Sequence, residues 1–175
     1  MMLQALLVAA ALLAPGTAQA DENRCDFVPP TPLLRNHAYA GQTFKAIPVQ
    51  NSVETASLSG GVRLTINQSQ CVDEQAVDFV LTVPNDPKKQ NFVAWTDFTQ
   101  GVLRKLKVRE PWPVTDMIDF LKKARAMTPK DGVVAMCQDG TIADDCDWNS
   151  GGILSIAVKP GATTTQVTIT ESISG

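Results

Sequence analysis

From residue 43 to residue 170, short runs rich in Val, Ile, Thr and Phe alternate with turn residues. Apolar and polar side chains alternate within these runs, most clearly at Val62, Leu64 and Ile66, each of which is followed by a polar residue. A period of two places one face of a strand in the core and leaves the other toward solvent. The pattern predicts six strands, at 43–49, 61–68, 76–83, 133–137, 152–158 and 164–170.

Three of the segments between these runs are rich in Gly, Pro, Asn and Asp: 59–61, 84–87 and 159–161. These residues tolerate tight or left-handed backbone geometry, so they are typical of short turns. Short turns join strands that run in opposite directions, which predicts antiparallel neighbours.

One helix is predicted over about 113–127. Met117, Phe120 and Leu121 recur at helical spacing and predict its buried stripe, and Pro129 ends the run. Thr115 is the residue expected to cap its N-terminus.

Residues 92–109 fit two patterns. Phe92, Trp95 and Phe98 fit a helical stripe, whereas the alternation that ends the segment fits a strand. Because Gly101 weakens a helix and suits a bend, we expect a hairpin that turns at residues 99–101.

The fold class predicted from these elements is α+β: a mainly antiparallel β-sheet with one principal helix, about 113–127, packed on one face, and two disulfides. The single domain is expected to span 43–175. Residues 21–42 contain Pro29, Pro30 and Pro32, which favour polyproline geometry, and they predict an extended N-terminal tether lying on the surface.

Residues 1–20 have the pattern of a cleaved secretory signal. An apolar run of about ten residues is followed by Pro15 and Gly16 and by the small-residue triplet Ala18-Gln19-Ala20, which predicts cleavage after Ala20. Removal of the first 20 of 175 residues leaves 155, enough for one domain with its own core. No later run is as long as the roughly 20 apolar residues that cross a bilayer, so we expect a periplasmic or secreted protein whose mature form has no membrane span.

Four cysteines follow the predicted signal, and an even number in an exported chain is typical of a disulfide framework. Three pairings are possible. The short, turn-rich separation favours Cys137–Cys146, which leaves Cys25–Cys71. A zinc site is the alternative, but the chain has no CxxC and a single His.

Charge is divided unevenly along the chain. Between residues 88 and 130 there are ten basic and four acidic residues, and between 131 and 149 there are five acidic residues and no basic one. Opposed patches of this kind either steer a charged partner or face each other within the fold. The overall net charge of −3 argues against a general nucleic-acid binder.

The residues that catalysis most often uses are sparse. The one histidine, His37, lies in the predicted tether, and no Gly-x-Ser-x-Gly motif is present. Asp116 and Asp119 share a helix face, but an acidic first turn is also what the helix dipole favours. The sequence therefore indicates no catalytic constellation, and we expect a protein that is not an enzyme.

The segment from residue 139 to residue 152 is the most unusual on the chain. Asp145, Asp147 and Asn149 alternate as the first ligands of a calcium loop do, but Ser150 and Ile156 stand where such a loop needs Gly and Glu. Calcium is therefore a weak candidate, no other cofactor is indicated, and an acidic turn is the plainer interpretation.

Trp148 lies among polar residues in this segment, and an exposed Trp on a disulfide-closed loop is a favourable anchor for another protein. We therefore expect an exported protein-binding module, such as an inhibitor or immunity-type protein that holds a partner protein. Two alternatives stay open: a small secreted hydrolase that acts on a cell-wall or sugar substrate through the acidic loop, and a calcium-stabilised envelope domain. The candidate partner-binding residues are Asp144, Asp145, Asp147, Trp148 and Asn149.

Overall fold

Seven β-strands and two α-helices make up the regular structure of the described chain. The computed structural model describes residues 29–47, 50–70, 74–86, 91–137, 140 and 151–174. The strands are β1 (Ala40–Ile47), β2 (Asn51–Ser57), β3 (Arg63–Gln70), β4 (Glu74–Pro84), β5 (Val133–Cys137), β6 (Ile153–Pro160) and β7 (Thr164–Ser174). The helices are α1 (Phe92–Leu103) and α2 (Val114–Ala124), which lie between β4 and β5 along the chain.

All seven strands belong to one sheet, in the order β1-β2-β3-β4-β7-β6-β5. Every neighbouring pair is antiparallel. The predicted α+β class with a mainly antiparallel sheet is therefore confirmed, although two helices are present where one principal helix was expected.

Each of the six predicted strands is present, and one strand was missed. β2 reads Asn-Ser-Val-Glu-Thr-Ala-Ser, a run with one large apolar side chain, so its sequence carries almost no strand signal. It forms because β1 and β3 pair with it along both edges.

Two of the three predicted turns join antiparallel neighbours. Residues 59–61 form a single 3-10 turn between β2 and β3, and Gly161 closes the turn between β6 and β7 by donating its N–H to the Thr164 carbonyl at 2.8 Å. The segment that begins at Pro84 instead leads from β4 toward α1, and β4 pairs with the distant β7.

The two faces of the sheet differ in exposure. Alternate apolar residues of β3, β4 and β7 are fully buried and form the core with both helices, among them Leu64, Ile66, Phe79, Leu81, Val167 and Ile169. Their sequence neighbours lie on the opposite, half-exposed face, which is polar apart from Val80. The alternation predicted at Val62, Leu64 and Ile66 is confirmed, since all three are buried.

The predicted hairpin within 92–109 is wrong, because residues 92–103 are helical. The Asn91 side chain accepts a hydrogen bond from the Ala94 N–H at 2.8 Å and so caps α1. Trp95, Thr99 and Leu103 are spaced four apart and are all buried. Burial of this helix face favours the helix over the hairpin. Gly101 is accommodated inside the helix, where it costs only about 1 kcal/mol relative to Ala.

The predicted helix over 113–127 is present as α2, and its stripe of Met117, Phe120 and Leu121 is buried. The predicted cap is wrong. Thr115 instead donates its hydroxyl to the Pro111 carbonyl at 3.3 Å, and no side chain caps the helix. In the described residues, neither helix is long and apolar enough to cross a membrane.

Replacement of Gly101 by Ala tests the helical assignment. A β-carbon at this position meets no atom within 4 Å, so Gly101→Ala should raise the free energy of unfolding by about 0.5 to 1 kcal/mol. Urea denaturation of the mature protein measures the change. A hairpin turn with Gly in a left-handed conformation would give the opposite sign.

Candidate functional site

The described part of the predicted tether is residues 29–42. Residues 40–42 begin strand β1, and residues 29–39 lie against the sheet. Leu34 is fully buried, and its N–H and that of Leu33 both donate to Oε2 of Glu54, at 3.1 and 2.9 Å. The side-chain amide of Gln42 donates to the other carboxyl oxygen of Glu54 at 3.2 Å. Glu54 itself is 0% exposed, and a buried carboxyl group is tolerated only when donors satisfy it.

Further hydrogen bonds hold this segment on both sides. On the sheet side, the Gln68 amide donates to the Thr31 carbonyl at 3.0 Å. On the other side, the Arg35 N–H donates to the Lys107 carbonyl and the Arg109 N–H donates to the Leu33 carbonyl, both at 2.8 Å. The helices pack mainly over β5, β6 and β7, and they leave the core face of β2 and β3 to be covered by another segment. Residues 29–39 are that segment, and they cover the polar side chains buried on these two strands.

A cleft of about 610 Å³ opens beside this segment. Its three walls are residues 38–40, the connection between β2 and β3, and the C-terminal half of α1 with the residues that follow it. The large apolar side chains that line it are Tyr39, Leu58, Val62, Phe98, Val102 and Leu106. Ser57, Ser59, Asp97 and Lys105 add polar groups, a mixture typical of binding pockets.

Tyr39 fixes the first wall. Its hydroxyl accepts a hydrogen bond from the Lys107 N–H at 2.6 Å and donates to the Lys105 carbonyl at 3.4 Å. The neighbouring Ala38 N–H donates to the side chain of Gln42, which in turn donates to Glu54. The wall is therefore joined both to the buried carboxyl group and to the segment after α1.

The α1 wall is shaped by one aromatic contact and one glycine. The rings of Phe98 and Trp95 pack edge to face, with centroids 5.8 Å apart and planes at 87°. Such pairs favour one ring orientation. Gly101 lines the cleft and leaves it clear, because nothing lies within 4 Å of the position that its β-carbon would take.

A second hollow, of about 460 Å³, meets the cleft at Leu106, which lines both. Its floor is apolar and includes Leu103, Val108, Val114 and Ile118. Its charged residues are Arg35, Arg104, Lys107, Arg109 and Glu110. The two hollows together form one surface with an apolar cleft at one end and a basic groove at the other.

The basic residues of this surface differ in whether hydrogen bonds hold their side chains in place. Arg109 donates to the Leu34 carbonyl at 3.2 Å and to the Asn36 side chain, and Arg35 donates to the Val108 carbonyl at 2.9 Å. Arg104, Lys105 and Lys107 are exposed, and their side chains form no ion pair with any described residue.

Asp116 and Asp119, the paired carboxylates of α2, are exposed beside a smaller hollow that Cys137 also lines. Lys122 donates to Asp119 at 2.6 Å, and this hydrogen bond together with the lysine charge lowers the pKa of Asp119. A general acid needs a raised pKa, so the environment of Asp119 does not favour that role. The exposed His37 lines a fourth hollow, near Glu54.

The partner-binding residues predicted from the sequence lie outside the described residues, as do Cys25, Cys71 and Cys146. This applies to Asp144, Asp145, Asp147, Trp148 and Asn149, and therefore also to the weak calcium candidates. Cys137 is buried and disulfide-bonded. Both predicted pairings, Cys25–Cys71 and Cys137–Cys146, stay predictions. Within the described ranges, no three His, Cys, Asp or Glu side chains come together as a metal site would require.

The cleft itself was not predicted. Phe98 fits the helical stripe of residues 92–109, but nothing in the sequence joins it to Tyr39 or to Leu58. Comparisons with protein-family models, curated proteins and solved structures find no match to this chain.

Substitution of Glu54 tests whether it holds the first wall. Glu54→Ala leaves the Leu33 and Leu34 N–H groups buried without their acceptor and should lower the free energy of unfolding by about 3 kcal/mol. Urea denaturation measures this loss, and limited proteolysis should show new cleavage within 29–39. Glu110→Ala, which removes an exposed acid, is the matched control and should change stability by less than about 0.5 kcal/mol. Equal stability of the Glu54 and Glu110 variants would contradict the assignment.

Proposed function

We propose that the protein is exported and acts as a non-enzymatic binding module that holds a partner protein, with an apolar side chain of the partner seated in the cleft. The proposal rests on the residues that line the cleft. Its lining of two aromatic rings and four aliphatic side chains suits a Phe, Trp, Leu or Met side chain, and interface anchors of this type contribute most of the binding energy.

The construction of the cleft supports the same function. Hydrogen bonds hold its first wall through Tyr39 and Glu54, and α1 supplies another wall. A site whose walls are already ordered loses little conformational entropy on binding, and this improves affinity without adding contacts. Export is supported by the signal pattern of residues 1–20.

Affinity capture with two variants of one residue tests the proposal. The mature protein, Gly101→Ala and Gly101→Phe are immobilised and exposed to the envelope and culture-fluid fractions of the producing cell. Gly101→Ala leaves the cleft open, whereas the ring of Gly101→Phe fills it. We expect the first two proteins to retain the same partner and Gly101→Phe to retain at least tenfold less, since an anchor is worth about 2 kcal/mol.

Circular dichroism and thermal unfolding establish that Gly101→Phe is folded. Undiminished capture by the folded variant would contradict the proposal, as would retention of no protein by the unmodified chain.

The acidic segment around Trp148 is a second proposed contact, and it is tested separately. We expect Trp148→Ala to leave the unfolding midpoint within a few degrees and to weaken capture of the same partner at least tenfold. Undiminished capture would restrict the binding surface to the cleft.

A further inference from the structure

The charges beside the cleft indicate what kind of partner it holds. The cleft and the basic groove together are lined by five basic residues, Arg35, Arg104, Lys105, Lys107 and Arg109, and by two acidic ones, Asp97 and Glu110. Asp97 is bound by Arg125 at 2.8 Å, so its charge is already compensated. This surface therefore carries a positive excess on a chain whose net charge is −3.

The unpaired basic residues lie on both sides of Leu106. Lys105 lines the cleft, whereas Arg104 and Lys107 line the basic groove. Two other basic side chains near the helices do have partners, since Lys122 binds Asp119 and Arg125 binds Asp97. Arg104, Lys105 and Lys107 are the basic residues of this surface whose side chains form neither an ion pair nor a hydrogen bond with a described residue. The charge of Arg104 also helps to lower the pKa of Asp119 on α2. In the groove, Arg104 and Lys107 are therefore the side chains that can turn toward a partner.

The apolar floor of the groove strengthens the electrostatic attraction that Arg104 and Lys107 exert on an acidic group. Charges beside low-dielectric walls act over longer distances than charges surrounded by water, and they attract groups of opposite sign. A partner segment that lies along Leu106 would place one side chain in the apolar cleft and its neighbours against Arg104 and Lys107.

We infer that the partner presents an acidic peptide segment with one large apolar side chain, held by Arg104 and Lys107 in the groove and by the cleft. This inference rests on the proposed function and names the partner chemistry of the same site. The apolar half of the surface favours a protein segment over a nucleic acid, whose backbone would need cations along its whole length.

Titration of two short labelled peptides tests the inference. The first has one Trp flanked by Asp and Glu, and the second has Lys at every acidic position. Fluorescence anisotropy with the mature protein should show the acidic peptide binding at least tenfold more tightly, with an affinity that falls as salt is added.

Three variants assign the contacts. Arg104→Glu and Lys107→Glu should each weaken the acidic peptide about tenfold, and Gly101→Phe should abolish its binding. Lys45→Glu, on the exposed edge strand β1, is the matched control and should have no effect.

Equal binding of the two peptides, or indifference to both charge reversals, would overturn the inference. If Gly101→Phe still abolishes capture of the cellular partner while the charge reversals do not affect it, the proposed function survives and only the acidic chemistry fails. Self-association that Gly101→Phe abolishes would assign the cleft to a second copy, and equally tight binding of heparin would assign the groove to polyanions. Either result would overturn the inference.

Discussion

The first wall of the cleft depends on the buried carboxyl group of Glu54. Its side chain lies on the core face of β2, opposite Ile66 of β3, where an apolar residue would be usual. A carboxyl group buried without donors costs several kcal/mol, so Glu54 is stable there only while Leu33, Leu34 and Gln42 donate to it. The same hydrogen bonds fix the position of residues 29–39 on the sheet. The sequence of these residues does not by itself specify that position.

This constraint explains how a sheet with only two helices builds a cleft. The helices cover one half of the core face, and the N-terminal segment covers the other half through polar contacts and the buried side chain of Leu34. The cleft lies where the two coverings meet, with Tyr39 hydrogen-bonded across to the residues after α1. A loss of the Glu54 interaction therefore affects both stability and the shape of the binding surface.

Much of the sheet could be predicted from the sequence, because strands that bury one face carry a period of two. The alternation at Val62, Leu64 and Ile66 is an example. β2 was missed because its core-facing residues include Ser52 and Glu54, whose burial depends on partners distant in sequence. The predicted hairpin is wrong because the low helix propensity of Gly101 costs less than the cap at Asn91 and the buried stripe of α1 contribute.

The cleft was beyond prediction for a related reason. Its walls come from residues near 39, 58 and 102, and only the antiparallel order of the strands and the Glu54 hydrogen bonds bring them together. The sequence shows that the basic residues within 104–109 belong to a basic block, but it does not show that they lie beside an apolar cleft.

Amide hydrogen exchange of the mature protein, free and bound to its captured partner, tests the central claim most directly. The Leu33 and Leu34 amides should exchange slowly in the free protein, because Glu54 accepts from both. The bound partner should slow exchange at residues 38–40, 57–62 and 97–106. Rapid exchange at Leu33 and Leu34, or partner protection confined to the opposite face of the sheet, would contradict the account.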